Sequence, residues 1–399
     1  MELVLATRNS DKIREIKKIL EKLNVEILTF KDLPDFPSLK ETGISLRENA
    51  LLKARALAKA TGKLSLADDS GLEVKFLNGA PGVYSSRFAG ENASYQDNNK
   101  KLLSLLKDVP YEKRGATFRC VMALADPRGK EMVVEGVCPG KITTFPRGKQ
   151  GFGYDPIFQP EGLDKTFAEI SLEEKNRISH RAKALLRIKE ILEEVCQIQG
   201  KFLIGLTGNM GCGKTMVAKF LEKWGLKVIN ADKIGHMVLK RDDVKRKMVA
   251  IFGGGILNSE GEISRKKLRQ IAATDKEKLT CLNKLLHPLI KKKIWNILKD
   301  YNGRIAVIEA ALIFEANWDF FMDRIITVYC SKNKQMERLR KNTSFTPEEI
   351  KGLLRAQLPQ EEKIKRADFV ISNEAGLREL ETNTRKVLDK ILEEAECGR

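Results

Sequence analysis

Residues 202–215 read Phe-Leu-Ile-Gly-Leu-Thr-Gly-Asn-Met-Gly-Cys-Gly-Lys-Thr, an apolar run that leads directly into a glycine-rich loop. The loop fits the pattern G-x-x-x-x-G-K-[ST], and a helix is predicted from Met216 to Trp224. Between a strand and a helix, the backbone N–H groups of such a loop surround phosphate oxygens, and the helix N-terminus adds positive potential. The alternative is a glycine-rich structural turn, but the flanking strand and helix favour a phosphate site.

Two side chains of this loop carry further chemistry. Lys214 can reach the β- and γ-phosphates of a nucleotide, and the Thr215 hydroxyl can ligate Mg²⁺. The predicted ATP-binding residues of the loop are Gly208, Gly211, Cys212, Gly213, Lys214, Thr215 and Met216.

Four more apolar strands are predicted after the loop, at 227–230, 305–308, 325–329 and 369–371, and they alternate with helical stretches. Strands that alternate with helices indicate a parallel sheet that is covered on both faces. Ligands bind at the carboxyl ends of the strands in such a sheet. The second half of the chain is therefore predicted to be a P-loop domain with a parallel sheet.

Asp232 lies just after the second of these strands, where its carboxylate could accept the proton of an attacking hydroxyl group. The less favoured alternative is that it caps the helix beginning at Lys233, a role compatible with the first. Arg338 and Arg340 lie on a helix after the fourth strand and could close over a transferred phosphoryl group. The alternative for these two arginines is a solvated basic face.

The first half has no glycine phosphate loop, so its chemistry must come from side chains. Ala67-Asp68-Asp69-Ser70-Gly71 places two carboxylates at the end of a short strand, just before a predicted turn. Glu41 and the helix capped by Ser45 and Glu48 supply further acids. Clustered carboxylates suit Mg²⁺, and one of them could deprotonate a water molecule. Plain turn chemistry also explains Asp-Asp-Ser-Gly.

Basic and aromatic residues of the same half suggest a nucleotide pocket. The segment 7–12 begins a helix, which is a suitable place for phosphate donors. The loop 151–156 offers an aromatic face and a carboxylate to a base, and His180 and Arg181 could donate to a carbonyl oxygen. Such donors favour a 6-keto purine over a 6-amino purine, because an unmatched buried polar group costs about 1–3 kcal/mol. The predicted contacts are Thr7, Arg8, Asn9, Ser10, Asp11, Lys12, Lys53, Ser70, Phe152, Gly153, Tyr154, Asp155, Lys175, His180 and Arg181.

Length and composition predict two domains, 1–199 and 200–399, since 399 residues exceed one ordinary core and the strand pattern restarts near residue 200. No apolar run approaches the roughly 20 residues of a membrane span, and Glu2 without a basic n-region indicates no secretory signal. Seven cysteines without a C-x-x-C pair indicate a reducing compartment. The expectation is a soluble cytoplasmic protein.

The net charge of +18 lies mostly in the second half and favours anionic partners such as nucleotides. The alternative interpretation, from another functional class, is a basic nucleic-acid-binding protein. The chain lacks a recognisable nucleic-acid module and basic–aromatic interleaving, which argues against it.

The first half resembles the inosine/xanthosine triphosphate pyrophosphatase family over about residues 1–197. The matching segments are Leu5-Ala-Thr-x-Asn9-x-x-Lys12, Glu41-Thr-Gly, Glu48-Asn-Ala, Ala67-Asp-Asp-Ser-Gly71, Gly79-Ala-Pro-Gly82, Gly151-Phe-Gly-Tyr-Asp-Pro156, Glu174-Lys-Asn and Ser179-His-Arg181. The resemblance implies a mixed-sheet α/β domain with a central cleft, with Asp69 as proton acceptor and metal ligand and Glu41 as a second metal ligand. It implies release of a nucleoside monophosphate and pyrophosphate. It also implies a homodimer through this half, because the family is usually dimeric.

The second half resembles dephospho-coenzyme A kinase over about residues 200–396. The matching segments are Gly205-Leu-Thr-Gly-Asn-Met-Gly-Cys-Gly-Lys-Thr215, Ala231-Asp232-Lys-Ile, Leu286-His287-Pro288-Leu, Leu312-Ile-Phe-Glu315, Gln335-x-x-Arg338-Leu and Arg366-Ala-Asp368-Phe-Val-Ile-x-Asn373. The resemblance implies that Asp232 is the base acting on the ribose 3′-hydroxyl of dephospho-CoA, with ATP as phosphoryl donor. His236, Ala311 and Asn342 depart from the family pattern. An alternative acceptor for the same P-loop kinase is a nucleoside monophosphate.

Overall fold

The computed structural model describes residues 1–33, 41–342, 346–355 and 357–397, without the side chains of 265, 269, 272–274, 276, 342 and 397. The chain divides into two compact units, Met1–Cys196 and Gln197–Arg399. Each unit has its own sheet and its own hydrophobic core.

The first unit is built on a mixed sheet with the strand order β2-β1-β3-β5-β6-β7, and β4 pairs with β3 outside this path. Strand β1 is parallel to β2 and β3, and the other pairs are antiparallel. Its elements are β1 (Glu2–Leu5), α1 (Ser10–Leu20), β2 (Glu26–Leu28), α2 (Leu46–Thr61), β3 (Leu64–Val74), β4 (Pro81–Gly82), α3 (Tyr95–Leu105), β5 (Gly115–Ala125), β6 (Glu131–Ile142), β7 (Phe158–Pro160), α4 (Leu172–Ile178) and α5 (His180–Gln197).

Helix α2 carries functional side chains to the middle of this sheet. Its first turn is held by Ser45, whose hydroxyl accepts from Glu48 N–H, and it ends at Gly62, which has a φ of +66°. The start at Ser45 agrees with the sequence prediction. Ala50 and Ala54 are fully buried against the sheet, and their small side chains allow the helix to approach closely. Other residues of α2 therefore reach β3.

Strand β3 differs from its prediction. The segment Ala67–Gly71 was expected to end a strand and enter a turn, but it lies inside one continuous strand that pairs with β5 from Ser65 to Val74. Pairing along the whole strand overrides the low strand preference of Asp and Gly. Glycine is required at residue 71, because a Cβ there would lie 2.4 Å from the Gly82 carbonyl oxygen.

The second unit contains an all-parallel sheet with the order β12-β11-β8-β10-β9. Its elements are β8 (Phe202–Thr207), α6 (Lys214–Lys223), β9 (Lys227–Asn230), α7 (Ala231–Leu239), α8 (Asp242–Phe252), α9 (Arg265–Thr274), α10 (Lys276–Asp300), β10 (Ile305–Glu309), β11 (Arg324–Tyr329), α11 (Lys332–Asn342), α12 (Pro347–Arg355), α13 (Gln360–Arg366), β12 (Phe369–Ser372) and α14 (Leu377–Cys397). The predicted fold class, a mixed-sheet α/β unit followed by a parallel-sheet unit, is confirmed.

No helix within the described ranges is long and apolar enough to span a membrane.

Candidate active sites

The first unit contains a cavity of about 460 Å³ between β1, α2, α5 and the loop 151–156. Most predicted nucleotide contacts line it. They are Thr7, Arg8, Asn9, Lys12, Lys53, Ser70, Phe152, Gly153, Tyr154, Asp155, Lys175, His180 and Arg181, together with Glu41. Sequence reasoning did not select Tyr95, Asn98 or Phe118, which also line the cavity.

An acidic group lies at one end of the cavity, around the buried ammonium group of Lys53. Its Nζ donates to Glu41 Oε1 at 2.8 Å and to Asp69 Oδ1 at 3.0 Å. Asn49 donates to the second oxygen of Asp69 at 3.3 Å. Burial raises the pKa of Asp69 and the carboxylate of Glu41 adds to this, while Lys53 opposes it. A carboxyl group whose pKa is raised towards neutrality is a better general base than an ordinary aspartate.

Asp68 has a different environment from its neighbour Asp69, since successive residues of a strand face opposite sides of the sheet. Its Oδ2 lies 2.8 Å from Lys12 Nζ and accepts from the Ser70 hydroxyl at 3.3 Å. Burial would raise the pKa of Asp68, but Lys12 and Arg181 hold it well below its ordinary value. Asp68 is therefore a permanent anion that orients cations, whereas Asp69 can exchange a proton.

The other end of the cavity has the features of a base pocket. The ring of Phe152 lies under Lys175 Nζ at 4.8 Å and under the guanidinium of Arg181 at 5.4 Å. Lys175 also donates to Asp155 Oδ2 at 2.7 Å, and the Phe152 N–H donates to the same oxygen at 2.8 Å. Tyr154 does not offer its ring to a base, because the ring is buried and its hydroxyl donates to the Ser85 carbonyl. Phe152 is the available aromatic face.

His180 and Arg181 are both buried beside this pocket. The His180 ring stacks on Phe118 with a centroid distance of 4.5 Å, and its Nδ1 has no hydrogen-bond partner. Burial and the nearby cations hold the pKa of His180 well below its ordinary value, so the ring is neutral. Arg181 donates to Glu15 Oε2 at 2.6 Å and to the Ser70 hydroxyl at 3.3 Å, while its Nε lies 3.6 Å from Asp68 Oδ2 and makes no hydrogen bond. Unsatisfied polar atoms of this kind can bind a ligand carbonyl.

Glu15 is a residue that sequence reasoning missed. It is 2% exposed on α1 and accepts from Arg181 and from Lys175, whose Nζ lies 3.2 Å from Oε1. Burial would raise the pKa of Glu15, but these two cations hold it below its ordinary value. One sequence signal was available for the burial of Glu15. It lies next to Ile16, a buried residue on the apolar face of the helix.

Two predicted phosphate contacts lie outside the cavity. Ser10 and Asp11 do not line it, and the Asp11 carboxylate pairs with Arg14 at 3.1 Å on the outer face of α1. The amide groups of Asp11 and Lys12 are already bound, since both donate to Asn9 Oδ1. Helix capping by Asn9 therefore uses the N–H groups that the sequence analysis assigned to phosphate.

The second unit has a cavity of about 630 Å³ at the carboxyl ends of its strands. The predicted residues Gly211, Gly213, Lys214, Thr215, Met216, Asp232 and Arg338 line it. Gly211 and Gly213 have φ angles of +86° and +95°, which favour glycine. The cavity is thus formed by the loop that the sequence analysis singled out.

Glu309 is the missed residue of this site. It ends β10, is 3% exposed, and accepts from the Thr215 hydroxyl at 2.9 Å and from the Asn230 side chain. It pairs in register with Leu206, just before the loop, and the sequence around Glu309 does not show this pairing. A carboxylate beside the loop threonine can hold a divalent cation on nucleotide phosphates.

Asp232 does not cap helix α7. Asn230 does so, because its Oδ1 accepts from Lys233 N–H at 2.8 Å. The capping alternative for Asp232 is therefore wrong, and its side chain lines the cavity at the end of β9.

The two predicted arginines, Arg338 and Arg340, differ in their position relative to the cavity. Arg338 lines the cavity, donates from Nη2 to Asn373 and has an unpaired Nη1. Arg340 is exposed and does not line the cavity, because side chains two positions apart on a helix point in different directions. Gly208 and Cys212 are also absent from the lining, and the Cys212 thiol donates to Gln360 Oε1 instead.

The three residues that depart from the kinase family pattern lie in different parts of the second unit. The Ala311 carbonyl accepts from the Thr207 hydroxyl and the Lys363 ammonium group, and His236 is half-buried on α7. The side chain of Asn342 lies outside the described residues.

Comparison with known proteins assigns each unit to a family. Residues 3–191 match the model of the Ham1 family, and residues 202–379 match that of dephospho-CoA kinase. The dITP/XTP pyrophosphatases of Thermoanaerobacter pseudethanolicus and Geobacter sulfurreducens are each 52% identical to the chain, over 192 and 190 residues, covering 48% of this chain and 96% of each relative.

The chain is also similar to two solved structures. A HAM1 protein from Coxiella burnetii is 43% identical with a TM-score of 0.46, covering 49% of this chain and 99% of its own. The dephospho-CoA kinase from Campylobacter jejuni is 26% identical with a TM-score of 0.34, covering 48% of this chain and 98% of its own.

Fold and sites together define a two-part nucleotide enzyme, with a hydrolase unit followed by a P-loop phosphotransferase unit. The chain belongs to the Ham1 family through its first unit and carries a dephospho-CoA kinase domain in its second. The resemblances found in the sequence are confirmed as a fusion of these two families.

Proposed function

We propose that the first unit, as a domain spanning 1–199, hydrolyses inosine, deoxyinosine and xanthosine triphosphates to the monophosphate and pyrophosphate. The observation that carries this proposal is one cavity lined by Lys53, the neutral His180 and the anchored Arg181, in which Lys53 binds the raised-pKa carboxyl of Asp69 behind the lining. At the acidic end, Lys53 suits the phosphates and the carboxylates suit the metal. The other end suits a purine with a 6-keto group. Curated relatives of this unit are named for dITP and XTP.

Asp69 is the proposed general base. It takes a proton from a water molecule whose oxygen forms a bond to the α-phosphorus, while the bond from that phosphorus to the αβ-bridging oxygen breaks. Pyrophosphate leaves with the bridging oxygen. Lys53, which contacts Asp69, and Lys12, which Asp68 holds, place positive charge beside the phosphates.

The donors in this unit fit Mg²⁺. This cation typically binds one or two carboxylates together with substrate phosphates and waters, and Glu41 and Asp69 both contact Lys53 Nζ at one end of the cavity. Within the described ranges, no three His, Cys, Asp or Glu side chains form a metal-binding group, so phosphate oxygens would complete the ligand set. When bound, Mg²⁺ would neutralise phosphate charge.

Base selectivity follows from donors beside the Phe152 ring. The neutral His180, whose Nδ1 has no partner, and the guanidinium of Arg181 both line the cavity and can donate to a 6-keto oxygen, whereas a 6-amino group offers them no equivalent acceptor. Asp155 can accept from a ring N–H. These contacts favour inosine and xanthosine over adenosine.

We propose that the second unit, as a domain spanning 200–399, transfers the γ-phosphate of ATP to the 3′-hydroxyl of dephospho-CoA. Asp232 accepts the hydroxyl proton, that oxygen bonds to the γ-phosphorus, and ADP leaves. Lys214 and the unpaired Nη1 of Arg338 stabilise the transferred group. Thr215 and Glu309 would hold Mg²⁺ on the nucleotide. The family assignment supports dephospho-CoA over a nucleoside monophosphate as acceptor.

We propose that both reactions occur in the cytoplasm. Cys120, Cys138, Cys196, Cys212, Cys281 and Cys330 are unpaired, which suits a reducing compartment. A homodimer through the first unit stays a prediction, and light scattering of the purified chain tests it.

Mass spectrometry of products from the full chain tests both reactions. With Mg²⁺, inosine triphosphate should give the monophosphate and pyrophosphate, and ATP with dephospho-CoA should give coenzyme A and ADP. Release of inosine diphosphate would contradict the first assignment. Faster phosphorylation of a nucleoside monophosphate than of dephospho-CoA would contradict the second, and salt-dependent DNA binding without turnover would contradict both.

A further inference from the structure

The outer side of the phosphate loop is held by side-chain amides. Gln335 on α11 donates from Nε2 to the Met210 carbonyl at 2.7 Å, and Gln357 accepts through Oε1 from the Met210 N–H at 3.1 Å. Both polar groups of one loop residue are thus bound by glutamines from two separate segments. The loop is part of the proposed kinase site, but neither glutamine lines its cavity.

The same side of the loop is closely packed. A Cβ on Gly211 would lie 2.9 Å from Leu339 and 3.2 Å from Gln335, so α11 lies directly against the loop backbone. Asn373 adds a third amide contact, which donates to the Cys212 carbonyl at 2.9 Å. The carbonyl groups of Met210 and Cys212 are therefore both fixed by side-chain amides.

Fixing these groups determines which way the loop amides point. The Met210 N–H is bound by Gln357 and is unavailable to phosphate. With the carbonyls of Met210 and Cys212 bound by side chains, the Met210–Gly211 and Cys212–Gly213 peptide planes have their orientation set. An anion site formed by main-chain N–H groups depends on that orientation.

We propose that Gln335 and Gln357 are positioning residues, which hold the phosphate loop in its ATP-binding shape through the two backbone groups of Met210. Gln335 also couples the loop to α11, the helix that carries Arg338. Movement of α11 that withdraws the arginine from a phosphoryl group would release the Met210 carbonyl as well. The inference rests on the proposed phosphate role of the loop, and is independent of the acceptor.

The two contacts have opposite hydrogen-bond polarity, which gives a charge-matched test. Gln335→Glu replaces the donor with a carboxylate facing the Met210 carbonyl. Gln357→Glu introduces the same charge but keeps an acceptor for the Met210 N–H. Gln335→Met removes the donor without adding charge. The three variants separate loss of a contact from the effect of negative charge near ATP.

The measurement is the dissociation constant of Mg²⁺–ATP for the full chain by titration calorimetry. Gln335→Glu should weaken binding at least about tenfold and Gln335→Met at least about threefold, while Gln357→Glu, which keeps its acceptor, should weaken binding several-fold less than Gln335→Glu does. In kinase assays the KM for ATP should rise without a matching rise in the KM for dephospho-CoA. Hydrolysis of inosine triphosphate and the tryptophan fluorescence verify that each variant is folded.

Equal weakening by Gln335→Glu and Gln357→Glu would show a charge effect and overturn the proposal. Wild-type affinity in Gln335→Met would overturn it as well, and this uncharged variant decides the matter if a glutamate variant fails to fold. A wild-type chain that binds ATP but does not phosphorylate dephospho-CoA would refute the proposed kinase reaction and leave this binding test valid.

Discussion

Replacing Glu15 with Gln should destabilise the first unit and weaken its nucleotide pocket together. The Glu15 carboxylate is 2% exposed and lies 2.6 Å from Arg181 and 3.2 Å from Lys175. Removing one partner of a buried ion pair costs about 3–5 kcal/mol. Glutamine keeps one acceptor oxygen, so we expect a loss of stability at the lower end of this range, about 3 kcal/mol. For a unit of this size that lowers Tm by about 6–12 °C.

The loss of stability in Glu15→Gln should depend on pH. The pKa of Glu15 in the folded chain is lower than its ordinary value of 4.5. Its stabilising contribution is therefore fully present above that value and is lost as pH falls through the lower, folded-state pKa. The difference in stability between wild type and Glu15→Gln should be largest near neutral pH and should shrink in acid.

The chain allows the two units to be followed separately. Its three tryptophans, Trp224, Trp295 and Trp318, all belong to the second unit. Tryptophan fluorescence thus reports that unit, while thermal inactivation of inosine triphosphate hydrolysis reports the first. The fluorescence transition should not shift in Glu15→Gln, and the KM for inosine triphosphate should rise because Arg181 and Lys175 lose their anchor.

Glu21→Gln is the matched control on the neighbouring turn. Glu21 forms an exposed pair with Lys18 at 3.3 Å, and such pairs contribute about 0–1 kcal/mol. Glu15→Gln with the same stability and KM as Glu21→Gln would refute the view that Glu15 organises the base pocket.

Four further outcomes are expected. Asp69→Asn should reduce pyrophosphate release at least about 100-fold while kinase activity survives; loss of both in a folded chain would show that the sites are coupled. Because burial raises the pKa of Asp69, kcat/KM for inosine triphosphate should fall on acidification at a pH above the ordinary value of 3.8, and a pH–rate profile measures this. Lys214→Ala or Asp232→Asn should silence the kinase, with unchanged hydrolysis in the same preparation as the control. Inosine triphosphate should exceed ATP in kcat/KM at least tenfold in the hydrolase assay, and His180→Ala should narrow that ratio; equal values for the wild type would contradict the assigned base contacts.

The phosphate loop of the second unit could be predicted because its signal is local. Eight consecutive residues specify a loop between a strand and a helix, and the structure places Lys214 and Thr215 in the expected cavity. Glu309 could not be predicted in the same way. It reaches Thr215 only because β10 pairs with β8, a contact across 94 residues of chain.

In the first unit, residue types were easier to predict than their surroundings. Lys53, His180 and Arg181 line the predicted pocket, but nothing local indicated that Glu15 would pair with Arg181 across 166 residues. Asp68 and Asp69 looked like a turn, since pairing with β5 is not visible in their own segment.

Division of the chain into two units, each with a complete cavity, has a consequence for gene expression. One messenger RNA yields both sites in a fixed ratio of one to one, so transcription and translation alter the two capacities together. Their balance can change only through substitutions that alter the rate constants of one site. Mutations that raise the turnover of one unit are therefore the route by which a lineage with this fusion can adjust one capacity independently of the other.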